Sequence, residues 1–167
     1  VSLFSQFYII LWFNRHKNVL KDTAQQVQYT KNEELLHAQA GTKIINTIRL
    51  EYPELFDDEL VQRITHEASE AFKAESKIVD WMLGSYEGPN ISAPILKEYI
   101  KNRINTSLVD IGIPACFEID NGLMEHTLWM EEDTLGNAMT DFFFKKPVEY
   151  SKKFAAFSEE DVFGDIE

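Results

Sequence analysis

The chain has 167 residues, a length that fits one domain with enough residues to bury a real core. Lys and Arg total 16 against 28 Asp and Glu, a formal charge of −12, which argues against partnership with nucleic acid or an anionic membrane. Hydrophobic content of 44% argues against wholesale disorder, and one cysteine cannot build a disulfide framework, which favours a reducing compartment.

The predicted elements begin with an apolar segment from Val1 to about Asn14, followed by the basic patch Arg15, His16, Lys17. A membrane span needs about 20 apolar residues, and this run is shorter and interrupted by Ser2, Ser5 and Gln6. A signal peptide carries its positive charge before the apolar stretch, not after it. The segment therefore reads as a buried core helix. Such a helix, uncapped and starting at the first residue, leads us to expect further sequence upstream.

The second segment runs from about Leu20 to Glu51 and stops before Pro53, because a residue preceding proline avoids the helical region. The third opens near Asp57-Asp58, where acids suit a helix N-terminus, and carries Leu60, Ile64, Ala68, Ala71, Ile78 and Met82 at helical spacing to Gly84. Ser85 to Asn90, with Gly88-Pro89, is a loop. Ser92 then reads as the N-cap of a fourth helix that ends near Gly112-Ile113-Pro114. After Pro114 the periodicity fades, and Ser158 to Glu167 reads as a mobile acidic tail. Strand signals are weak throughout, so the fold class is mainly α.

The chemistry concentrates in the second segment. Val27, Thr30, Glu34, His37, Gly41, Ile44 and Ile48 fall at alternating three- and four-residue steps and share one helix face. C-terminal to His37 that face is apolar, so it is expected to point into a core. A buried carboxylate beside a buried imidazole is costly unless the two share a proton or bind a metal. Glu-x-x-His places both donors one turn apart, as dinuclear carboxylate bundles do. The plain alternative is a solvated surface pair, since the motif is short and frequent by chance.

The remaining candidates read plainly. His16 is expected on the surface, His66 on the polar side of its helix, and His126 without a partner at ligand spacing. Cys116 is expected to be a small buried apolar residue. Glu67, Glu70 and Glu75 are the only other carboxylates available for a ferritin-like metal store, which ranks last among the readings.

Several blocks follow one another in order: VSLFSQF at 1–7, QQVQY at 25–29 leading into EELLH at 33–37, and INTIRLEYP at 45–53. Asp80-Trp81, Lys97-Glu98-Tyr99-Ile100 with Asn102-Arg103, TDFF at 140–143 and VEYSK at 148–152 complete the series. In this order and spacing the chain resembles the C-terminal half of the small, radical-generating subunit of class I ribonucleotide reductase. The resemblance implies an all-α fold, the C-terminal part of a ferritin-like helical bundle with an irregular, acidic C-terminal tail. It divides the chain into a bundle part carrying half of a dimetal site (1–114), an irregular region packed on it (115–157) and a tail that docks on the large subunit (158–167).

By the same resemblance Glu34 and His37 are ligands to one metal of a dinuclear iron, manganese or mixed centre. Glu33 stands where the family usually has an aspartate of the radical-transfer relay; glutamate keeps the charge and lengthens the arm. Asn32 replaces the usual basic residue. Tyr150 matches the tail tyrosine that passes the radical between subunits, and Val162, Phe163 and Ile166 match the docking segment. The family's other ligands would lie upstream, so the implied protein is one piece of a cytoplasmic split subunit. Its implied partners are an N-terminal small-subunit chain, the large subunit through the tail, and a second small subunit in a dimer. The rival reading is a non-catalytic helical module that docks on the large subunit through its tail.

Overall fold

The computed structural model describes residues 2–130. Among these residues the chain forms five α-helices and one 3-10 turn: α1 (Ser2–Lys17), α2 (Lys21–Glu51), the turn Pro53–Leu55, α3 (Asp58–Leu83), α4 (Ala93–Asp110) and α5 (Asn121–Glu125). No strand forms among the described residues. Only an isolated antiparallel bridge, Gly88 to Ile91, closes the loop before α4. The all-α expectation therefore stands.

The predicted boundaries stand within a few residues for α2, α3 and α4. α2 ends at Glu51, one residue before Tyr52-Pro53. Asp57 caps α3, its side chain accepting from Leu60 N at 2.8 Å. Ser92 caps α4 by accepting from Ile95 N at 3.4 Å, with Pro94 in the first turn, where its missing N–H costs nothing. α1 runs three residues further than expected, to Lys17, because Arg15, His16 and Lys17 suit a helix C-terminus. Two left-handed residues, Asn18 and Leu20, make the turn into α2. Residues 115–130 are also more ordered than expected: Asp120 accepts from Gly122 N and Leu123 N and starts the short helix α5.

α4 is the central helix, with Ala93, Ile95, Leu96, Tyr99, Ile100, Ile104 and Leu108 buried. α3 packs along it through Val61, Ile64, Ala68, Phe72 and Val79, a stripe at three- and four-residue steps once the buried Glu75 between the last two is included. α1 packs against α2, α3 and α4 and buries Phe4, Phe7, Tyr8, Leu11 and Trp12. The apolar N-terminal segment is thus a core helix, as its composition implied. No helix among the described residues is long and apolar enough to cross a membrane.

Candidate functional site

Glu34 and His37 lie one turn apart on α2, with Glu34 Oε1 3.6 Å from His37 Nδ1. The pairing expected from Glu-x-x-His is therefore present. Its inward orientation is not. The His37 side chain is 74% exposed and that of Glu34 38%, and Ile44 further along the same face is 60% exposed. The reason lies in how α2 is used. Its other side, with Ala24 and Lys31 buried and Leu35 packed against the core, takes the contacts with the rest of the fold. The face of His37, Ile44 and Ile48 is left facing solvent. Glu33 is exposed as well. Tyr150 and the tail from 158 to 167 lie outside the described residues.

The two side chains fit one edge of a metal site, a carboxylate and an imidazole on adjacent turns. Among the described residues no group of three or more His, Cys, Asp or Glu gathers. A dinuclear centre needs more donors than this pair offers.

The other titratable groups are mostly engaged elsewhere. Glu75 is buried against Ser5, whose hydroxyl donates to its Oε2 at 3.0 Å, so it ties α3 to α1. Glu70 pairs with Lys73 at 2.6 Å, and that ammonium holds its carboxyl below the ordinary value. Glu67 and His66 are exposed. His126 is exposed too, its Nδ1 3.0 Å from Asn90 Oδ1. His16 departs from the surface expectation: it is half-buried and stacks on Trp12. Burial, and then the charges of Arg15 and Lys17, lower its pKa. Cys116 is half-buried, not fully buried as expected, because it sits in the extended link after Pro114; partial burial pushes its thiol up.

Two features had little signal in the sequence. Lys31, one turn before Glu34, is 1% exposed, and its Nζ donates to Met130 O at 3.3 Å. Lysine is rarely buried, so nothing in the local pattern marked it as a core contact. It helps fix the rotation of α2 and so the direction in which Glu34 and His37 point. The second feature is an aromatic cluster built by Tyr8, Trp12 and His16, at four-residue steps on α1, with Trp129. The α1 spacing was legible; the arrival of Trp129, more than a hundred residues later, was not.

Comparison with known proteins places the chain. The sequence model described as ribonucleotide reductase, small chain, matches residues 1–122, most of the chain and all of α1 to α4. A protein named probable ribonucleoside-diphosphate reductase small subunit, from Invertebrate iridescent virus 3, is 27% identical over 154 residues, covering 91% of this chain and 40% of its own length. A ribonucleoside-diphosphate reductase subunit beta of Aquifex aeolicus is 33% identical over 123 residues, 70% of this chain and 16% of its own length. The subunit beta of Chlamydia pneumoniae is 26% identical over 151 residues, 90% of this chain and 42% of its own length. The chain thus spans well under half the length of these relatives.

Proposed function

This chain belongs to the ribonucleotide reductase small chain family, and from that premise we propose that it is the C-terminal part of a ribonucleoside-diphosphate reductase small subunit. It would serve deoxyribonucleotide synthesis in the cytoplasm. The observation that carries the reading is the Glu34–His37 pair, set on one turn of α2 inside the matched region, on a face where His37 and Ile44 are exposed.

Glu34 and His37 would hold one metal of a dinuclear iron, manganese or mixed centre, with the remaining donors from an N-terminal small-subunit chain. When bound, such a centre supplies a one-electron oxidising equivalent. The chain's own residues do the positioning. Lys31 pins α2 from its buried side, so the Glu-His edge faces outward toward whatever covers it. Burial of that edge by a partner would desolvate both donors and keep water from the site. Ile44 and Ile48 give the same partner an apolar surface to bury. Glu33 takes the relay position, Tyr150 the exit position, and the acidic tail the docking role on the large subunit. A second small subunit completes the assembly.

The test is to purify the chain from its source at neutral pH and look for a co-purifying polypeptide, with metal measured per complex in the same sample. A second chain with about two iron or manganese ions per pair supports the reading, and Glu34→Ala or His37→Ala should then release metal without dissociating the chains. A chain that is soluble alone and metal-free overturns catalysis. It leaves the docking module as the better account.

A further inference from the structure

The aromatic side chains around α1 form a connected series that the metal site does not use. Tyr8 is fully buried, with its ring 5.3 Å from Tyr99 and 4.7 Å from Trp129 between centroids. Trp129 Nε1 donates to Tyr8 Oη at 3.0 Å. His16 sits between the two indoles, edge-on to Trp129 at 6.2 Å and stacked on Trp12 at 5.2 Å. Trp12 then meets the edge of Tyr86 at 6.0 Å. Trp12 is fully buried and Tyr86 is 44% exposed, so the series begins in the core and surfaces at a phenol in water.

We propose that Trp129, Trp12 and Tyr86 form a hole relay that carries a one-electron oxidation of the buried aromatic core out to Tyr86. The activity needs only a strong one-electron oxidant of the outer-sphere class. The first step moves an electron from Trp129 to that oxidant. Trp12 then reduces the Trp129 radical cation across the His16 ring, and Tyr86 reduces Trp12. The Tyr86 phenol releases its proton to water. In net terms the oxidant gains one electron, Tyr86 becomes a neutral phenoxyl, and one proton enters solvent.

The charges set the direction. The Arg15 guanidinium lies 5.6 Å from the Trp129 ring centroid, and the Lys17 ammonium 5.7 Å from that of Trp12. Each cation opposes a positive charge on its indole. The Tyr86 radical is neutral, so it escapes that repulsion. Tyr8 is a poor terminus despite its contact with Trp129. Its hydroxyl donates to Asn90 O at 2.6 Å, with His126 O at 3.1 Å, and backbone carbonyls are too weakly basic to take its proton. Burial holds that proton more firmly still, pushing the phenol up to about 12. The lowered pKa of His16 keeps the imidazole neutral near pH 7, so no third cation stands between the indoles. The route involves neither Glu33 nor Tyr150 and does not depend on the metal reading.

The test uses the full chain with Cys116→Ser and Trp81→Phe. These remove a competing thiol and an indole that is 84% exposed. Leu128→Cys, at an exposed position beside Trp129, carries a ruthenium polypyridyl label, and hexaammineruthenium(III) serves as flash quencher. The expected result is a tryptophanyl absorbance that gives way to a tyrosyl one. The tyrosyl should also appear by electron paramagnetic resonance after rapid freezing. Tyr86→Phe should abolish the tyrosyl and leave a long-lived tryptophanyl, whereas Tyr8→Phe should leave the tyrosyl in place. A tyrosyl that survives Tyr86→Phe, or that vanishes with Tyr8→Phe, overturns the relay. So does a tryptophanyl that never yields a tyrosyl in the parent. Tyr86→Phe keeps the ring at an exposed position, and circular dichroism checks that the variants remain folded.

Discussion

Tyr8 shows what one buried polar atom asks of its surroundings. Its hydroxyl donates to one carbonyl, faces a second and accepts from an indole N–H, so a group that would be costly to bury is satisfied on every side. Tyr8→Phe removes the oxygen and leaves Trp129 Nε1 without that acceptor. We expect a loss of about 1–3 kcal/mol by denaturant unfolding at neutral pH. The same residue gives a pH signature. Its folded pKa of about 12 lies above the unfolded value near 10, so the folded state holds the proton more tightly. The contribution is complete below about pH 10 and is lost as pH rises toward about 12. Unfolding titrations across that window should show wild-type stability falling, with the Tyr8 part of the slope absent in Tyr8→Phe. At the candidate site the residue scale is less informative. The motif at Glu34 and His37 was visible in the sequence, but exposure depends on what packs over α2.

At the scale of elements, caps and stripes decide most of what forms. Asp57 is the clearest case: its carboxylate accepts from Leu60 N and sits where helix polarity favours negative charge. Asp57→Ala should lower stability by about 1 kcal/mol, while Asp57→Ser should recover most of it. A flat response in thermal unfolding would mean that packing against α4 alone holds the start of α3. These signals were legible because a cap acts within one turn of its own residue. α2 departs from the expectation for the complementary reason. Its sequence carries two faces that could be buried, one with Ala24 and Leu35, the other with Ile44 and Ile48. Periodicity gives the angle between them without saying which meets a neighbour. α1 and the chain near Met130 occupy the first face, and the second remains open.

At the scale of the whole molecule, the open face of α2 has a thermodynamic consequence. Ile44 is 60% exposed and loses little buried apolar area on becoming polar, whereas Ile48, 38% exposed, loses more. Ile44→Ser should change the stability of the isolated chain by no more than about 0.5 kcal/mol, and adding Ile48→Ser should lower it by about 1 kcal/mol more. If a partner covers that face, the same double variant should weaken the assembly markedly, which analytical ultracentrifugation of the co-purified complex would read. Equal effects on the chain and on the complex would place the partner elsewhere.

The sequence by itself determined the helical class, the cap positions Asp57 and Ser92, the core character of α1 and the placement of Glu34 and His37 on one turn. All of these follow from interactions that reach no further than a few residues, or from composition. The order of its sequence blocks also carried the resemblance that the family match bears out. Tertiary structure decided the rest: that Lys31 is buried, that Ser5 meets Glu75, that Trp129 closes on Tyr8 and His16, and that the Glu34–His37 edge faces outward. Each is a contact between residues far apart in the chain or a choice between two plausible faces. Such choices are made by whichever surface arrives to exclude water, and no local pattern encodes that arrival.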